Sequence, residues 1–301
     1  MRLSDLVEGL SVGRHQSYSM PTVQIEGGSL WYEETGTGPP LVCLHGGWQD
    51  LRSWQSQIDY FADDYRVITI DLRGHGQTGS TELRQYSIEL FADDLDELLS
   101  TLNVQHPILA GISAGGMVVQ TYLDRHPAGA RGAVIGGPLQ TMPPVDLPHG
   151  MKQLFSPLPL LSGTLTAVGP TLTFKTLLDS IRMTNGGHWL ALDETVRKQS
   201  MEAIESISAT EFRKIFRALY ERVAPTLSHV STPTLVLYGD HEIPLVKRQG
   251  ERIARTVQTG TARSIPDSGH LVNQDQSGAF NEACSTFFDG LAPPADGTEI
   301  H

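Results

Sequence analysis

Ser113 stands between two glycines in Gly111-Ile112-Ser113-Ala114-Gly115, behind the apolar run Pro107-Ile108-Leu109-Ala110 and ahead of Gly116-Met117-Val118-Val119-Gln120. The order reads as strand, sharp turn and helix, with the serine hydroxyl exposed at the head of a helix whose positive end favours negative charge. A serine becomes a nucleophile when a base takes its proton, a carboxylate orients that base and N–H donors hold the developing oxyanion. His270, which follows Asp267-Ser268-Gly269 in a loop before the last helix, is the candidate base. Two carboxylates compete to orient it, Asp240 and Glu242, both in the Gly239-Asp240-His241-Glu242 turn that ends the strand-like Thr234–Tyr238. Upstream, the short buried run Leu41–Leu44 leads into His45-Gly46-Gly47-Trp48, where two glycines leave a backbone amide open to a ligand.

The elements that must position these groups alternate. Val23–Ile25 and Ser29–Glu33 form an opening hairpin turned at Gly27-Gly28, after which strands and helices follow one another. Ile88, Phe91, Leu95, Leu98, Leu99 and Leu102 recur at helical spacing behind Ser87 as N-cap; Asp93, Asp94, Asp96 and Glu97 are expected on the solvated face. Such alternation builds a mostly parallel, doubly wound sheet, with ligands bound beyond the carboxyl ends of its strands. Ser113, His270 and both candidate acids fall at such ends. Between 138 and 231 the alternation stops, and a segment rich in proline, leucine and methionine intervenes. Met142, Phe155, Phe174 and Trp189 are among the residues there that offer more apolar surface than a linker needs. Trp48, Trp189 and Phe155 are therefore candidates for an apolar pocket over Ser113.

Taken together, His45-Gly46-Gly47-Trp48, the Asp71-Leu72-Arg73-Gly74-His75-Gly76 turn, Gly111–Gly116, the 239–242 turn and Ser268-Gly269-His270 resemble the α/β-hydrolase superfamily from about residue 21 to 291. The resemblance implies an α/β-hydrolase core over 21–137 and 232–291 and an inserted helical cap over 138–231. Residues 1–20 are then an N-terminal extension and 292–301 a disordered tail. It also implies an oxyanion hole made by Gly47 and Ala114 N–H, with Trp48 as the alternative donor. The acid of such proteins commonly stands three residues after the glycine, which is Glu242 here; Asp240, one residue after it, is the alternative. Asp71, Arg73 and His75 look reactive in a row, yet in this family the turn is a structural loop with buried hydrogen bonds.

The expected chemistry is acyl transfer from a small carboxylic ester or lactone to water. A carbon–carbon bond hydrolase, a perhydrolase or haloperoxidase-like enzyme, and a small-molecule receptor on the same fold are the alternatives. A serine at the turn argues against relatives that form an alkyl ester on aspartate. The cap, apolar and without an evident basic cluster apart from the scattered Arg182, Arg213 and Arg217, favours a neutral substrate.

A formal charge of -12 argues against a nucleic-acid partner. No run approaches a membrane span, and Asp5 and Glu8 in an N-terminus without an apolar core argue against a signal peptide. The two cysteines, Cys43 and Cys284, read as buried thiols, which fits a cytoplasmic protein. No metal-ligand spacing occurs, so neither metal nor other cofactor is expected, and a homodimer is left open.

Overall fold

Each short apolar run becomes a strand of one eight-stranded sheet. The computed structural model describes residues 21–143, 156–185 and 187–292; the 1–20 extension, Phe155 and the tail beyond 292 lie outside the described residues. In chain order the sheet and its helices are β1 (Thr22–Ile25), β2 (Gly28–Thr35), β3 (Pro40–Leu44), α1 (Gln55–Phe61), β4 (Arg66–Ile70), α2 (Ile88–Thr101), β5 (Ile108–Ile112), α3 (Ala114–Arg125) and β6 (Gly132–Gly136). After the helices α4 (Leu158–Asn185), α5 (Glu194–Glu205) and α6 (Ala209–Glu221) come β7 (Thr234–Gly239), α7 (Pro244–Thr256), β8 (Gly260–Ile265), α8 (Val272–Asp275) and α9 (Ser277–Asp289).

The strand order is β1-β2-β4-β3-β5-β6-β7-β8. Only the first two pairings are antiparallel; from β4 to β8 the sheet is parallel. Its central strands are covered on both faces: Val42, Cys43, Leu44, Ile68, Leu109 and Val134 are all fully buried, as a parallel sheet sandwiched by helices requires. The chain leaves β3 toward β4 on one side and returns as β5 on the other. Register aligns Leu44 with Gly111, so β3 and β5 end level and release the 45–48 loop and Ser113 side by side.

The sequence placed Asp94 on the wet side of α2, and there the structure differs. Asp94 is 2% exposed and accepts two hydrogen bonds from Arg73, at 2.6 and 2.7 Å. It lies three residues after Phe91 and four before Leu98, on the inward stripe of the helix. A buried guanidinium needs a counter-charge, and Arg73 finds it there. Ser87 does cap the helix, accepting the Leu90 N–H at 3.1 Å.

The described residues between β6 and β7 carry the helices α4, α5 and α6. α4 breaks at Gly169, where φ is 78° ahead of Pro170. α5 is capped by Asp193 and α6 by Ser208, each side chain accepting N–H groups of the first turn. Phe212, Ile215, Phe216 and Leu219 form the apolar stripe of α6 and turn it toward Trp48. Among the described residues no helix is long and apolar enough to cross a membrane.

Candidate active site

The turn after β5 is built by close approach. Ser113 sits at φ 53° and ψ -110°, a conformation that costs a non-glycine residue roughly 1–3 kcal/mol and persists only when its surroundings impose it. The surroundings do impose it. Ser113 N–H donates to Gly136 O at 2.9 Å, and Gly115 N–H to His45 O at 3.1 Å. A Cβ on Gly115 would lie 2.2 Å from Leu44 O, so only glycine lets α3 start against the end of β3. Ser113 is thereby presented at the N-terminus of α3, where unpaired N–H groups and the helix dipole favour an anion.

The structure brings His270 and Glu242 to this serine. His270 Nε2 is 2.9 Å from Ser113 Oγ, and its Nδ1 is 2.5 Å from Glu242 Oε2. The His270 and Glu242 side chains are almost entirely buried. Glu242 Oε1 accepts the Ile243 N–H at 2.7 Å and the Trp189 indole N–H at 2.5 Å. Asp240 goes elsewhere. Its Oδ1 accepts the Ser268 N–H at 3.1 Å at the exposed end of the turn, close to His241 rather than His270. Two residues of register send Glu242 inward and leave Asp240 to fix the 267–268 turn.

Gly47 packs against Ala114, the residue that follows the serine. A Cβ on Gly47 would lie 3.7 Å from Ala114 Cβ, and one on Gly46 3.6 Å from Ser113 Cβ. Neither the Gly47 nor the Ala114 N–H has an acceptor among the described residues. Trp48 N–H, the alternative donor, is occupied: it donates to His75 Nε2 at 3.0 Å. His75 Nδ1 in turn donates to Arg73 O at 2.8 Å, and the Trp48 acceptor contact fixes the tautomer. His45 is arranged the same way, with Nε2 accepting the Leu72 N–H at 3.0 Å and Nδ1 donating to Gly46 O at 2.7 Å. Burial lowers the pKa of both imidazoles, that of His75 to about 3 with His45 adding to the effect. The expected structural role of the Asp71–Gly76 turn is therefore seen in detail: Asp71 accepts the Leu51 and Gln77 N–H groups, and His75 anchors the 45–48 loop.

Over Ser113 lies a cavity of about 500 Å³, lined by Trp48, Met117, Leu139, Phe174, Trp189, Phe216, Leu219 and their neighbours. Trp48, at φ 60°, stacks on Phe212 at 4.8 Å and meets Phe174 at 5.5 Å. Met142 and Leu177 also line it; Leu160 and Met183 instead point outward, 74% and 87% exposed. Beside Ser113 and His270 the lining is apolar except for Gln49, Ser200 and Tyr220, which sequence reasoning passed over. Gln49 Nε2 donates to Ser200 Oγ at 3.1 Å, joining the 45–50 loop to α5 across 151 positions. No local pattern marks such a pair.

A second cavity, of about 490 Å³, shares Trp189 and Leu190 with the first and is lined by Lys175, Arg182, Arg197, His188, Asp179 and Glu205. The cap was expected to lack a basic cluster. α4 and α5 fold together and bring Lys175, Arg182 and Arg197 to one cavity, where Asp179 and Glu205 offset part of their charge. At the exposed end of the 239–242 turn Asp240 and His241, with Asp267, hold ligand-type atoms within 4.8 Å of one another, all three exposed, with Asp240 serving the turn as described.

A serine backed by a buried histidine–carboxylate pair at the strand ends of a doubly wound parallel sheet defines an α/β hydrolase. Residues 39–276 match the family model described as "alpha/beta hydrolase fold", and the chain belongs to that family. It is 27% identical over 246 residues to 3-oxoadipate enol-lactonase 2 of Acinetobacter baylyi, covering 81% of this chain and 86% of that protein. It is 26% identical over 266 residues to Epoxide hydrolase 3 of Xenopus tropicalis, covering 83% of this chain and 71% of that one. Among solved structures, a thermophilic esterase from Thermogutta terrifontis superposes with a TM-score of 0.75 at 25% identity, over 90% of this chain and 97% of its own. Est816, described as an N-acyl homoserine lactone degrading enzyme, superposes at 0.70 with 25% identity, over 89% of this chain and all of its own.

Proposed function

We propose that the protein is a serine hydrolase that cleaves a small carboxylic ester or lactone through an acyl-enzyme intermediate. The observation that carries this reading is the His270 imidazole, bonded on one side to Ser113 Oγ and on the other to Glu242 Oε2 beneath an apolar cavity. Ser113 Oγ attacks the carbonyl carbon while His270 Nε2 takes its proton. Gly47 and Ala114 N–H hold the oxyanion. His270 returns the proton to the departing alcohol oxygen, which in a lactone stays tethered to the acyl group. A water deprotonated by His270 then attacks the acyl-enzyme, releasing the acid and restoring Ser113. Glu242 keeps the imidazole in the tautomer with Nδ1–H and offsets the charge of the imidazolium. A serine rather than an aspartate at this turn separates the chain from alkyl-ester chemistry, and the lactone-directed names of two relatives support lactones beside esters. We assign the cap to residues 138–231, the helices that roof this cavity.

The test is steady-state hydrolysis of p-nitrophenyl esters from acetyl to dodecanoyl, with γ-lactones of several chain lengths, by wild type and Ser113→Ala. Turnover abolished by the substitution is the expected result, and the preferred chain length sizes the pocket. Silence of wild type on every member would move the reading to carbon–carbon cleavage or to a receptor. A second reading, in which the acyl group carries a free carboxylate, is supported by the excess of Lys175, Arg182 and Arg197 over Asp179 and Glu205 around the adjoining cavity. Monoesters of dicarboxylic acids in the same panel decide it: a lower KM than for the neutral ester of equal length, lost in Arg182→Ala, supports it.

A further inference from the structure

The side of Glu242 turned away from His270 is held by the helical region inserted between β6 and β7. Glu242 has two oxygens and three donors. Oε2 takes the His270 Nδ1–H, and Oε1 takes the Ile243 and Trp189 N–H groups. Ile243 belongs to the same turn as Glu242; Trp189 is 53 residues away, in the segment between α4 and α5. The indole also lies over the histidine ring, with centroids 4.5 Å apart and planes tilted by 33°. One side chain thus touches both partners of the serine.

The segment that carries Trp189 is fixed to the loop that carries His270. His270 N–H donates to Trp189 O at 2.8 Å and Leu271 N–H to Leu190 O at 2.9 Å, a short strand-like pairing. The Asp275 carboxylate closes it from below, accepting Leu192 N–H at 2.8 Å, Asp193 N–H at 2.7 Å and Gly269 N–H at 2.7 Å. The indole N–H groups of the other three tryptophans, Trp31, Trp48 and Trp54, are buried and have no acceptor among the described residues. Trp189 is the exception, and its acceptor is the carboxylate of the site.

We propose that Trp189 is a positioning residue of this site: its indole N–H locks the Glu242 carboxylate from the cap side while its ring face covers the His270 imidazole. The inference rests on the serine-hydrolase reading. A carboxylate held by Ile243 N–H alone can rotate about its Cγ–Cδ bond and lengthen its contact with Nδ1. The indole removes that freedom, and the ring face lies where the imidazole becomes cationic as it accepts the serine proton. Completion of the site therefore requires the cap segment 187–193 in place, not only the three residues of the core.

Two measurements on the full chain test this. With tryptophan labelled by nitrogen-15, the spectrum holds four indole N–H signals, and Trp189→Phe identifies one of them by its loss. That signal is expected furthest downfield, as for a donor to a carboxylate, and to move upfield in Glu242→Gln. A Trp189 signal grouped with the other three and unmoved by Glu242→Gln overturns the proposal, whether or not any substrate has been found. The second measurement is kinetic. Trp189→Phe keeps a ring against His270 and removes the donor; kcat is expected to fall about tenfold to a hundredfold at little-changed KM, as for a lost charge-assisted hydrogen bond. In the Glu242→Gln background the same substitution should cost almost nothing more, because the indole acts through Glu242. Full additivity, or a change in KM alone, would reduce Trp189 to a wall of the pocket. Asp275→Ala leaves the indole in place and loosens its segment; a smaller fall in kcat with broadening of the same indole signal is expected, and an unchanged signal counts against the proposal.

Discussion

His75 Nε2 accepts the backbone N–H of Trp48 at 3.0 Å, and this contact decides which amide of the 45–48 loop is free. With Trp48 N–H occupied, Gly47 is left as the proposed oxyanion donor of this loop. Removing the acceptor in His75→Ala strands a buried N–H, which costs roughly 1–3 kcal/mol, and frees the loop to turn. The expected outcome is a lower urea midpoint together with a kcat reduced by about tenfold or more, since a displaced oxyanion donor is lost only in the transition state. A variant with normal kcat and only the lower midpoint would show that the loop holds Gly47 without His75.

The same histidines make stability depend on pH. Burial lowers both imidazoles in the folded protein, His75 to about 3, from an unfolded value of 6.5. Between those values the unfolded chain binds a proton at position 75 that the folded chain refuses, so stability falls as pH falls through the window. Well above pH 6.5 both states are unprotonated at this position and the group contributes no slope. Within the window each such group contributes up to about 1.4 kcal/mol per pH unit. Urea midpoints of wild type should therefore drop more steeply between pH 7 and pH 5 than those of His75→Asn, which has no proton to take up. Parallel curves would show that His75 protonates as readily folded as unfolded.

Glu242 and Asp240 differ by two positions and by everything that matters to the imidazole. Glu242→Gln removes the charge that supports the His270 imidazolium and should lower kcat by on the order of 10⁴, the usual cost of a lost triad carboxylate. Asp240→Asn keeps an acceptor for Ser268 N–H at the exposed end of the turn and should leave kcat within about twofold. Measured on one substrate and one preparation scheme, the pair admits a reversal: collapse in Asp240→Asn with activity in Glu242→Gln would reassign the acid.

Much of this arrangement is legible before any coordinates. Periodicity gives β3, β5, β7 and α2 nearly to the residue, because each is a short uninterrupted apolar run or an apolar stripe with a capping serine. The glycines flanking Ser113 and the loop position of His270 place those two at strand ends. What the sequence leaves open depends on contacts between distant positions. The direction of two carboxylates in one turn is set by whether each meets His270 or Ser268. Asp94 reads as one more acid in a solvated run because nothing local announces that Arg73 is buried beneath it. Trp189 offers an apolar ring to any reader, whereas its N–H finds a use only when the cap segment lies against the 269–271 loop.

Two glycines show how differently one added methyl is received. Gly115 begins α3 against the end of β3, and a Cβ there would lie 2.2 Å from Leu44 O and 2.8 Å from His45 O, both backbone atoms of a buried strand end. Neither can retreat without disturbing the sheet or the oxyanion loop. Gly115→Ala should therefore destabilise by about 2–4 kcal/mol, as overpacking in a core does, and displace Ser113 from His270. Gly163 lies within α4 with nothing inside 4 Å of the corresponding position. Gly163→Ala meets no clash and restricts the unfolded chain, so a gain of roughly 0.5–1 kcal/mol is expected. Thermal melts and turnover of the two variants separate the cases: a fall in both for Gly115→Ala, and a raised midpoint at unchanged turnover for Gly163→Ala. Wild-type turnover in Gly115→Ala would mean that the turn can open away from β3, and that the strained backbone of Ser113 is held by Gly136 and its own helix alone.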